Sequence, residues 1–88
     1  MTAGNLGHMA LTFEHDSSVN AFAFHFSSEP VAETVQFSDA VLVDLDSQRR
    51  PVTLEVLGSD EEALARAAQE LKFTEQLSTI NSALNVSQ

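Results

Sequence analysis

Asp44, Asp46 and Glu55 are the one cluster of carboxylates in the strand-like part of this 88-residue chain. Calcium or magnesium needs several converging oxygens, usually supplied by a loop. Here the three residues fall at strand positions that alternate with apolar ones, so the expectation is an acidic face in water, without a metal. His8, His15 and His25 show no paired spacing such as His-x-x-x-His. His15 has the chemistry of a general base or a pH switch, but no serine, cysteine or carboxylate partner follows from its spacing. It reads as a packing group beside Phe22. Cysteine is absent, which removes thiol chemistry, disulfides and cysteine-built zinc sites. Phe13, Phe22, Phe24, Phe26 and Phe37 lack the interleaved arginine or lysine of a base-stacking surface and read as core. The three glycines form no phosphate loop. No catalytic, cofactor-binding or metal-binding residue is expected, and the chain does not read as an enzyme. An enzyme using Asp44, Asp46 and Glu55 is the least favoured of three functional readings.

Composition narrows the partner. Thirteen acidic residues against four basic ones give a net charge of −9. Nucleic acid, whose phosphates call for basic patches, is not an expected ligand. The charge steers the chain toward basic surfaces on other proteins. No apolar run reaches the ~20 residues of a membrane-spanning helix, and no secretory signal is present, so the expected location is the cytoplasm. A chain this short buries roughly 60–65% of its surface, which makes a shared dimer core a natural source of extra stability.

The elements that position these residues follow from the periodicity of the chain. Residues 1–10 lack periodicity and are expected to form a flexible leader; Gly7-His8-Met9 also resembles a cloning scar. From Leu11 the chain alternates with period two. A turn at 17–20 would pair His15 with Phe22, Phe13 with Phe24 and Leu11 with Phe26, placing every large apolar group on one face. After Ser27-Ser28-Glu29-Pro30, a strand is expected over Val31–Phe37 with Val35 and Phe37 inward. A turn at 47–50 then pairs Leu45 with Val52, Val43 with Leu54 and Val41 with Val56. The opposite face of that hairpin collects Asp44, Asp46, Thr53 and Glu55.

At Leu57 the period changes. Ser59 and Glu62 have capping-box spacing, and Leu64, Ala67, Ala68 and Leu71 recur at helical intervals, predicting a helix over 60–72 that ends near Lys72. Phe73, Leu77, Ile80 and Leu84 continue a helical stripe, out of phase with the first. Either the helix bends near Phe73 or a second one starts with Thr74 as its cap. The expected fold is therefore α+β: an antiparallel sheet of about five short strands over 11–57, then a helix or broken helix pair over 58–88 packed on it, in one domain.

Residues 11–57 also resemble domain-of-unknown-function family 2283, a group of small bacterial and phage domains. The elements that carry the likeness are His15-Asp16-Ser17-Ser18-Val19-Asn20-Ala21-Phe22-Ala23-Phe24, then Pro30-Val31-Ala32-Glu33-Thr34-Val35, then Val43-Asp44-Leu45-Asp46 through Val56-Leu57. The family pattern has tyrosine at His15, aspartate at Asn20, and glycine at Arg49 and Thr53. The resemblance implies the strand fold and no particular activity. It hints at binding, since some members look like partners of toxin-like proteins.

Two readings lead. In the first, the chain is a regulatory or antitoxin-like protein-binding module, bacterial or phage-encoded. It would engage another protein through the stripe Phe73, Leu77, Ile80 and Leu84 and the acidic face Asp44, Asp46 and Glu55. In the second, it is a structural homodimer whose tail stripe completes a shared core.

Overall fold

The computed structural model describes residues 11–86, and the expected leader at 1–10 lies outside the described residues. Strand β1 (Thr12–Asp16) and strand β2 (Ala21–His25) form the first hairpin, with Phe13 opposite Phe24 and His15 opposite Phe22, as the alternation predicts. Asp16 organises the turn: its carboxylate accepts the Ser18 N–H at 3.0 Å and the Ser18 hydroxyl at 2.6 Å. Short polar side chains stabilise turns in this way.

Strand β3 (Glu33–Ser38) begins two residues later than expected, leaving Val31 half-exposed. Ala32 meets the sheet through a single N–H donated to the Leu45 carbonyl at 2.7 Å. Val35 and Phe37 pack against the core from its margin. Strand β4 (Val41–Leu45) and strand β5 (Pro51–Leu57) pair Val41 with Val56 and Val43 with Leu54, as expected. The last expected pair is corrected. Leu45 faces Pro51 instead of Val52, because the register shifts between Asp44 and Leu45. The turn that follows explains the shift. Asp46 accepts the backbone N–H groups of Gln48 and Arg50, both at 2.9 Å, and Arg49 passes through a left-handed conformation with φ 62°.

The sheet order is β1-β2-β5-β4-β3, antiparallel throughout. Residues 26–32 therefore cross from β2 to β3 past two strands, a span of about 14 Å at the usual strand spacing. The pairing of β2 with β5 joins the two halves of the sheet.

Helix α1 (Glu61–Leu71) is capped by Asp60, whose carboxylate accepts the Ala63 N–H at 3.1 Å. The expected capping box of Ser59 and Glu62 gives way to this cap one residue later, where a charged acceptor meets the helix N-terminus. Lys72 lies at the C-cap, just past the last turn. It ends α1 in the left-handed conformation, φ 64°, and the following Phe73 N–H bonds the Ala68 carbonyl at 2.9 Å. Helix α2 (Thr74–Val86) then starts as a separate helix. Its preceding position is Phe73, whose carbonyl accepts the Gln76 N–H at 3.0 Å, so the start lies one residue earlier than a Thr74 cap implies.

Both helices bury their apolar faces on one side of the sheet. Leu64, Ala67 and Ala68 of α1 and Ile80 and Leu84 of α2 join Phe22, Phe24, Val41, Val43, Leu45, Leu54 and Val56 in one core. Phe73 closes the junction against Phe26, ring centroids 5.2 Å apart. Full burial of a side chain such as Leu64 contributes roughly 1.5–3 kcal/mol.

Candidate functional site

The helices cover one face of the sheet, and among the described residues the other is bare. On the bare face the antiparallel register sets residues in rows across the strands. One row runs Glu14, Ala23, Glu55, Leu42, Gln36; a second runs Asp16, Ala21, Leu57; a third runs Thr12, His25, Thr53, Asp44, Thr34. Glu14 and Glu55 thus flank the small Ala23, and the low floor of Ala21 and Ala23 makes a shallow cavity of about 170 Å³. Asp16 and the half-exposed Leu57 complete its rim. Carboxylates standing around an apolar floor can take a lysine or arginine side chain, whose stem packs on alanine and leucine while its charge meets the rim.

The edges of this face are less free. The Glu14 carboxylate lies 3.9 Å from His25 Nε2. Asp44 accepts the Thr34 hydroxyl at 2.6 Å. Asp16 holds its own turn, and the Ser18 hydroxyl, then the Ser18 N–H, keep its carboxyl below the usual value.

Of the expected acidic face, Asp44 and Glu55 lie on the bare side as predicted. Asp46 does not. It is 6% exposed, with Oδ1 bonded to the Gln48 and Arg50 N–H groups and Oδ2 to Arg50 Nε at 3.1 Å. The register shift after Asp44 carries it out of the strand and into the turn, so it builds structure. The Arg50 N–H foremost lowers its carboxyl pKa. Glu14 and Asp16 take its place on the face. The alternation with Phe13 and His15 already put Glu14 there, but only the β2–β5 pairing brings Glu14 and Glu55 to the two sides of one alanine.

The expected helical stripe is placed differently. Phe73, Ile80 and Leu84 are buried in the chain's own core, and Leu77 packs against it half-buried. The stripe is covered by the sheet face that its own chain supplies. His15 stacks on Phe22 with ring centroids 4.1 Å apart and 13° between planes, in keeping with a packing role.

Among the described residues, no three of histidine, cysteine, aspartate or glutamate come together as a metal-holding group. No helix among them is long and apolar enough to cross a membrane. At the other end of the molecule an open cleft of about 1230 Å³ is bordered by Arg49, Arg50 and Lys72, three of the chain's four basic residues. Arg49 is paired with Glu33 at 2.8 Å and Arg50 with Asp46 at 3.1 Å. Glu29, Glu70 and Glu75 also line it, so the cleft is not an anion-selective site.

No protein-family model, no curated protein and no solved structure matches this chain. The functional reading therefore rests on the site's own chemistry.

Proposed function

We propose that this chain is a small protein-binding module that docks a basic partner on the bare, acidic face of its sheet. The observation that carries this is the placement of Glu14 and Glu55 on either side of Ala23, over a shallow floor rimmed by Asp16 and Leu57. The net charge of −9 favours encounter with a basic surface, and the apolar floor supplies contact area once it is docked. A regulatory or antitoxin-like role fits such a module and agrees with the resemblance of its strands. The reading of a homodimer with a shared helical core has less support, because Phe73, Ile80 and Leu84 are already buried within one chain.

Affinity capture from a source lysate tests the proposal, comparing the native chain with a Glu14→Lys/Glu55→Lys variant at low and moderate salt. A dominant partner retained by the native chain and lost from the folded variant is the expected result. Capture that the two charge reversals leave unchanged would remove the acidic face from consideration.

A further inference from the structure

The two edges of the sheet are not equivalent. Edge strand β3 carries an irregularity between Gln36 and Ser38, and the Arg66 guanidinium of α1 donates to the Phe37 carbonyl at 2.9 Å. Irregular register and a covering helix are ordinary ways of closing a sheet edge to further pairing. Among the described residues, edge strand β1 has neither. It pairs with β2 in unbroken register and contains no proline, lysine or arginine. Among the described residues, no strand lies on its outer side.

The backbone directions on β1 follow from its neighbours. The Phe26 N–H donates to Val52 and the Gly58 N–H to Asn20, so the even-numbered residues of β2 bond toward β5. The odd-numbered residues Ala21, Ala23 and His25 then bond toward β1, to their partners Asp16, Glu14 and Thr12. Phe13 and His15 are left to turn their N–H and C=O groups outward, along the free edge.

The side chains on either side of that edge differ in chemistry. Toward the helix side stands Phe13, 47% exposed although it stacks on Phe24 at 5.4 Å, with His15 beside it. Toward the bare side stand Thr12, Glu14 and Asp16, with the Glu14 side chain 80% exposed. A strand added here would meet apolar surface with every second residue and carboxylates with the residues between.

We infer that β1 is an acceptor edge for an extended partner segment that alternates apolar with lysine or arginine residues, added as a sixth strand. Backbone bonds to Phe13 and His15 hold the segment, its apolar residues cover Phe13, and its cations reach Glu14 and Asp16. A second copy of this chain is a poorer occupant, since its own β1 would bring Glu14 and Asp16 against like charge. The inference deepens the proposed function and rests on its acidic face.

The test uses the full chain and a short synthetic peptide of alternating lysine and valine, with a second peptide N-methylated at the valines. The expected result is saturable binding of the first peptide, slowed hydrogen exchange at the Phe13 and His15 amides, and no binding of the N-methylated peptide. Glu14→Lys, at an exposed position, should weaken binding about tenfold. Equal binding of both peptides would overturn strand addition while leaving the acidic face intact, provided that Glu14→Lys and Glu55→Lys still weakened it. Binding indifferent to both charge reversals would overturn the acidic face and this inference with it. Two further outcomes also overturn the inference: binding that appears only once residues 1–10 are removed, and amide protection at Phe13 and His15 that grows with the chain's own concentration.

Discussion

At the residue scale, three aspartates do structural work that their charge alone would not disclose. Asp16, Asp46 and Asp60 each accept hydrogen bonds from a nearby turn or helix start. All three have carboxyl pKa values lowered from 3.8, Asp60 through the Ser38 hydroxyl first and the Ala63 N–H second. A group whose native pKa is depressed binds fewer protons in the folded chain than in the unfolded one across that window. Its stabilising contribution is therefore complete above 3.8 and is lost as pH falls through the lower native value. The urea midpoint should accordingly fall as pH drops from 3.8 toward the lower native value, and Asp46→Asn should flatten that decline. An acid limb as steep in Asp46→Asn as in the native chain would show that the turn carboxylate is not a source of it.

The element scale turns on the junction between the helices. Lys72 occupies a left-handed position, φ 64°, that glycine adopts without steric cost. Lys72→Gly should raise stability by about 1 kcal/mol, a shift of some 4–8 °C in a domain of this size. Thermal unfolding followed by circular dichroism measures it, and a lower midpoint would mean that the lysine side chain stabilises the junction by more than its backbone conformation costs. The same break explains the out-of-phase stripe. Leu71 and Phe73 sit two residues apart, a step no continuous helix can place on one face, and the left-handed Lys72 redirects the chain so that both helices meet the core. Arg49, φ 62°, is a comparable left-handed position in the turn between β4 and β5.

For the whole molecule, the helices and the sheet form one core, and neither layer is covered without the other. Val43, Leu54 and Phe24 are fully buried, as are Ile80 and Ala67 above them. Ile80→Ala should therefore cost about 2–5 kcal/mol and lower a single cooperative urea transition. If its loss were confined to α2, with the sheet unfolding unchanged, the layers would be independent. Truncating a core position costs stability, whereas truncating an exposed docking position would cost only affinity.

The amino-acid sequence by itself determined the elements and most of their pairing within hairpins. Alternation at Phe22, Phe24 and Phe26 and at Val41, Val43 and Leu45 fixes which face is buried, because a slip of one residue would turn every apolar group to water. Helical spacing and the phase change at Phe73 marked, in the same local way, a helical region bent or broken there, and the left-handed Lys72 makes it two helices. Only the tertiary structure decided that β2 lies beside β5, that the tail stripe covers its own sheet, that Asp46 belongs to a turn, and that Glu14 and Glu55 flank one alanine. Those outcomes depend on contacts between residues far apart in the chain, on a register shift set by side-chain hydrogen bonds, and on which surface the helices reach first. Local periodicity carries no record of any of them.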